Sequence, residues 1–158
     1  MRAWAPLLIL AVASPLRAAQ DGFGRWQQDV SQCLLQLEAS RMDRCQGLRL
    51  DQRNEAVLRL SVLGPAAESG LMQELTFVGE LDPASAPMRC SDGVCQLEAP
   101  MRLLVAVVRT ARFNSRGLVV GYPSTTPASG QCALSKSEVS CRAESSTGEQ
   151  WSAQLTLR

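Results

Sequence analysis

The residues best placed to do chemistry are sulfurs: Cys33, Cys45, Cys90, Cys95, Cys132 and Cys141. The chemistry they suggest is oxidation, because an even cysteine count in an exported chain reads as a disulfide framework. Local geometry weighs the possible pairings. Cys90 and Cys95 enclose Asp92-Gly93, a dipeptide suited to the type I′ turn of a two-residue hairpin, which needs positive φ at both central positions. Ser91 and Val94 then close the turn. The two cysteines face each other as the next, non-hydrogen-bonded pair, with Cα atoms about 4.5 Å apart, at the short end of the disulfide range. Cys132 and Cys141 are centred on Lys136-Ser137. A hairpin there sets 134 against 139 and 132 against 141, with both cysteines on the apolar face beside Leu134 and Val139. Cys33 and Cys45 are left as the third bridge. Loops this short stabilise by roughly 2–3 kcal/mol each.

Other chemistry is thinly supplied. The chain has no histidine, which removes Ser-His-Asp and Cys-His schemes together with histidine metal sites. A carboxylate pair would have to come from Asp82, Asp92, Glu98 or Glu74, which are scattered singly over strand and turn positions. A Ser-Lys dyad would rest on Lys136, between Ser135 and Ser137 in an exposed turn that lacks the burial a lysine base needs. No C-x-x-C occurs. A zinc site of Cys90, Cys95, Cys132 and Cys141 has spacings that suit disulfides better. Gly117 and Gly121 have neither the spacing nor the context of a phosphate loop. The expectation is therefore a chain that is not an enzyme, with no catalytic residue, cofactor or metal.

Binding has more to work with. Arg102, Arg109, Arg112 and Arg116 flank the most apolar run, residues 103–108. Strict alternation places Arg109 on the opposite side of the pleat from Arg102 and Arg112. Such a set grips an acidic partner or a glycan phosphate, or simply pairs with acids on neighbouring strands. Tyr122 is the only tyrosine and precedes a Pro-bounded polar stretch, residues 123–130, read as a surface loop of the kind that carries recognition.

These side chains need elements to hold them. Trp26, Val30, Leu34 and Leu37 recur at spacings of four, four and three, which predicts a helix over residues 21–39. From Gly47 to Leu157 the pattern alternates. It predicts strands near 48–50, 56–63, 71–81, 94–99, 101–113, 118–122, 131–134, 139–144 and 150–157, broken by Gly64-Pro65, Pro100 and residues 115–117. Trp151 alternates with Ala153 and Leu155 and reads as core. The fold class expected is mainly β: an antiparallel β-sandwich or small barrel with one N-terminal helix, disulfide-stapled.

The chain has 158 residues, the size of one domain. Residues 1–19 read as a cleaved signal peptide: Arg2, an apolar core over 3–13 too short to span a bilayer, and small residues ending at Ala18-Ala19. Residues 20–158 form the single disulfide-containing domain. Losing Arg2 and Arg17 takes the formal charge from +1 to −1, a balance that argues against a nucleic-acid partner. Arginine dominates the basic residues, with Lys136 the sole lysine, as a GC-rich bacterial genome would produce. No lipid-anchor cysteine follows the cleavage zone, and no membrane span remains after it. The reading is a periplasmic or secreted, non-enzymatic interaction module engaging another envelope or secreted protein, as an inhibitor or immunity-type partner or an assembly accessory. The alternatives are a small exported carboxylate-dependent hydrolase acting on a glycan and a structural envelope protein.

Overall fold

Apolar and polar residues alternate through almost every segment, and the chain answers with strands throughout. The computed structural model describes residues 22–37 and 40–158. Its strands are β1 (Gly24–Leu37), β2 (Ser40–Met42), β3 (Gly47–Gln52), β4 (Val57–Pro65), β5 (Met72–Leu81), β6 (Arg89–Ser91), β7 (Val94–Gln96), β8 (Met101–Phe113), β9 (Ser124–Leu134), β10 (Glu138–Ser145) and β11 (Gln150–Leu157). Eight of them, β1, β3, β4, β5, β8, β9, β10 and β11, pair antiparallel in that order, and β11 returns to β1. The result is a closed up-and-down barrel. Closure removes the free edges that an open sheet would present.

An eight-stranded barrel has an interior just wide enough for side chains to fill. Here they do. One row crosses five strands as Trp26, Leu50, Leu60, Phe77 and Val108. Another crosses five as Leu35, Ala153, Cys141, Cys132 and Leu103. All ten are buried. Burying each large aliphatic or aromatic side chain contributes about 1.5–3 kcal/mol. Trp151 belongs to this core, opposite Leu37 and Ala143.

The two hairpins read from cysteine spacing form in the expected register. Cys90 pairs with Cys95 around Asp92 and Gly93, whose φ values of 51° and 77° make the turn. Cys132 pairs with Cys141 and Leu134 with Val139. Disulfides join Cys33–Cys45, Cys90–Cys95 and Cys132–Cys141, with Cα separations of 5.9, 4.0 and 4.0 Å. Bonds of this kind belong to an oxidising compartment. The β6–β7 hairpin plugs one end of the barrel with Met88, Cys90, Cys95 and Leu97, all buried. Buried Gln52 clamps it: Oε1 accepts from the Met88 N–H at 2.8 Å, and Nε2 donates to the carbonyls of Met88 and Gly22.

Three expectations are corrected. The N-terminal helix is absent from the described residues; 24–37 is a strand. Before a bulge between Val30 and Gln32, the even positions Trp26 and Val30 point inward. After it the odd positions Leu35 and Leu37 do. A phase flip in a two-residue period mimics helical spacing, and that is why the stripe misled. The polar stretch 123–130 is not a loop, because Ser124–Leu134 is a wall strand. Its outer face meets solvent, and Pro127 falls at a register shift opposite Val107, where a missing N–H is tolerated. Residues 118–122 contribute only one isolated bridge, Phe113 to Val119, where a strand was expected; the break read at Gly64-Pro65 does fall at the end of β4. The signal-peptide reading falls on residues outside those described. No helix among the described residues is long and apolar enough to cross a membrane.

Phe77→Ala removes the side chain at the middle of the first core row. It is expected to cost about 3–5 kcal/mol, visible in urea unfolding as a lower midpoint with an unchanged slope.

Candidate functional site

β8 is longer than the neighbours that could pair with it. Its ladder to β9 ends at Thr110–Ser124, while its ladder to β5 runs on to Phe113–Met72. The connection, residues 114–123, therefore stands beyond the barrel wall, at the end opposite the plug. It is tied by its own hydrogen bonds. Asn114 Oδ1 accepts from the N–H groups of Arg116 and Leu118, both at 3.0 Å. The Gly117 N–H donates to the Asn114 carbonyl and the Asn114 N–H to that of Leu118, each at 2.9 Å. Gly117 sits at φ 75°, where a side chain would be strained. Farther along, the Val120 N–H donates to the Arg112 carbonyl.

What this tied tip displays is apolar. Leu118 is 55% exposed, Val119 50% and Tyr122 103%. Single exposed apolar residues are ordinary; here three stand within five positions. Arg112 lies at its base, hydrogen-bonded at 2.7 Å to Glu68, and Arg116 lies in the tip, exposed.

The structure thus brings Arg112, Arg116 and Tyr122 to one end and sends the other two arginines elsewhere. Arg102 is ten residues up β8 from Arg112, roughly 33 Å along an extended strand, and faces Asp82 at 3.8 Å. Arg109 lies on the outer wall. Its relation to Arg102 is also corrected, while its opposition to Arg112 stands. A bulge at Ala106 puts 105 opposite Gly79 and 107 opposite Val78, so the face that points outward changes from even to odd positions. Arg102 and Arg109 share the outside of the barrel, and Arg112 takes the other phase. A Cβ on Gly79 would overlap the Leu104 carbonyl, so only glycine admits this close crossing.

Leu118 and Val119 were read as part of a strand. The sequence signal for a protrusion was present in Asn114 and Gly117, a turn pair directly after the apolar run. The wall hides a second feature that periodicity alone does not announce. Outside β3, β4, β5 and β8, one row runs Arg49, Ser61, Thr76, Arg109, and the next runs Asp51, Arg59, Val78, Val107. Ser61 and Thr76 are 3% and 1% exposed although they face outward. Their hydroxyls bond each other at 2.9 Å, and Thr76 donates to Glu74. Arg25 donates to Asp51 at 2.6 Å. Arg49 donates through Nη2 to Glu74 at 3.2 Å, and its Nε lies 3.3 Å from Asp51 Oδ2 but off the hydrogen-bonding direction.

The acids considered as a carboxylate pair sit on separate elements. Glu74 bonds Arg49, Asp82 faces Arg102, Glu98 bonds Arg89 at 2.9 Å, and Asp92 is in the β6–β7 turn. Asp82 and Glu98 line separate grooves. Lys136 is exposed in the β9–β10 turn. The four cysteines weighed as zinc ligands are spent in two disulfides, and no cluster of three or more His, Cys, Asp or Glu among the described residues is arranged to hold a metal.

Fold and site together define a class: a closed, side-chain-filled, disulfide-bonded antiparallel barrel carrying an ordered apolar tip. No family model, no curated protein and no solved structure matches the chain.

Asn114→Ala is expected to loosen the tip without touching the core. Amide hydrogen exchange at Arg116 and Leu118 rises, while exchange at Leu60 and Phe77 stays as slow as before.

Proposed function

We propose that the chain is an exported, non-enzymatic binding module that inserts its tip, residues 114–123, into an apolar cleft with an acidic rim on another envelope or secreted protein. The observation that carries this reading is full exposure of Tyr122 beside Leu118 and Val119 on a protrusion already ordered by Asn114. A rigid aromatic and aliphatic anchor loses little conformational entropy on docking, and such anchors dominate interface energies. Arg116 stands among the anchors and supplies the charge that selects an acidic rim, while Arg112 at the base is already paired with Glu68. The filled interior supports the same reading from the other side, since binding work is left to the outside surface. An inhibitor or immunity-type role and an accessory role in an assembly both use such a surface.

The test compares two baits, the oxidised protein and its L118S/V119S/Y122S variant, in affinity capture from the native envelope fraction. A stoichiometric partner held by the first and lost at least tenfold by the second, with equal thermal midpoints for the baits, is the expected outcome. A partner held equally by both removes the tip from the account.

A further inference from the structure

On the outer wall of β3, β4, β5 and β8, two arginines stand outside the ion pairs that engage the others. Arg25 and Arg49 are engaged with Asp51 and Glu74. Arg59 and Arg109 enter none of the ion pairs among the described residues, and the buried Nε of Arg59 has no hydrogen-bond acceptor. An unsatisfied buried donor is costly, more so on a charged group. With Arg25 of β1 counted in, four guanidinium groups share this face with Asp51, Glu74 and Glu80, and Arg59 and Arg109 are the two that no carboxylate pairs with. Glu80, the next acid along β5, is exposed and makes no ion pair with either arginine. The hydroxyls of Ser61 and Thr76 are engaged with each other and with Glu74, so the missing partner is an acceptor for arginine and not a donor to it.

We propose that this wall binds a phosphate monoester, clamped between Arg59 and Arg109 over the Ser61–Thr76 pair. The two arginines are two strands and two residues apart, about 12 Å between Cα atoms, a span that two extended side chains close from opposite sides onto one anion. A phosphate monoester carries about −1.5 to −2 charge at neutral pH and three strong acceptor oxygens, enough to serve both unpaired guanidinium groups at once. Arginine is the residue suited to bidentate phosphate contacts. This site lies on the wall and stands or falls apart from the tip.

The test is a titration of the oxidised protein with inorganic phosphate at fixed ionic strength, read by amide chemical shifts and by thermal unfolding. Saturable shifts centred on Arg59, Ser61, Thr76 and Arg109 are expected. So is a midpoint rise of about 3–6 °C at a phosphate concentration ten times the dissociation constant. Arg59→Gln and Arg109→Gln each weaken binding at least tenfold, Arg142→Gln on the exposed face of β10 leaves it unchanged, and acetate produces no saturable shift. Two further arms distinguish the source of the group. Tighter binding of a hexose 1-phosphate than of inorganic phosphate assigns a soluble ester, and co-sedimentation with phosphatidate vesicles, abolished by R59Q, assigns a lipid headgroup. Absence of saturable shifts in the unmodified protein overturns the proposal, as does a midpoint rise that survives R59Q and R109Q.

Discussion

One strand holds this molecule closed. The first half of β1, Gly24 to Asp29, pairs with β3, and its second half, Val30 to Leu37, pairs with β11. The bulge between Val30 and Gln32 is where it changes partner, and the bend that a bulge imposes lets one strand serve two neighbours. Without that switch the sheet would have two edges and no inside. Every buried row described above depends on it, because a row of inward side chains is dry only when the wall is complete. The Cys33–Cys45 bridge lies just past the switch and ties β1 to the segment that leads into β3. The clasp reinforces the place where the architecture is decided.

Closure and filling together assign work to surfaces. Phe77, Leu60 and Leu50 leave no solvent exposure in the middle of the barrel, and the β6–β7 hairpin stops one end. Two features on the outside carry no evident gain in stability: apolar residues held in water at the tip, and the buried Nε of Arg59 held without an acceptor on the wall. Each carries a cost to the free protein, and each is the kind of cost that a partner relieves.

Much of this was legible before any fold was known, and the boundary between legible and hidden is physical. The Asp92-Gly93 turn and the 132–141 register could be read because both depend on neighbours within ten positions. The mainly β, disulfide-bonded character followed from alternation and an even cysteine count. The stretch from Trp26 to Leu37 was misread because its bulge is induced by a partner strand more than a hundred residues away, at Thr156 and Leu157. The same blindness applied to Ala106, whose bulge reversed the side of the sheet on which Arg102 lies relative to Arg109 and Arg112. Residues 124–130 looked like loop because Ser, Thr and Pro on a solvated wall resemble Ser, Thr and Pro in a turn. Arg102, Arg109, Arg112 and Arg116 were adjacent in sequence yet belong to three different surroundings. Arg49 and Arg59, which the wall brings near Arg109, were passed over because proximity across strands is set by topology.

The covalent pattern has a consequence for how the chain is made. Each cysteine is bonded to the next one in order, with separations of 12, 5 and 9 residues. A chain delivered amino end first into an oxidant meets its correct partner before any later thiol arrives, so simple order of emergence yields the native set and no bond has to be undone.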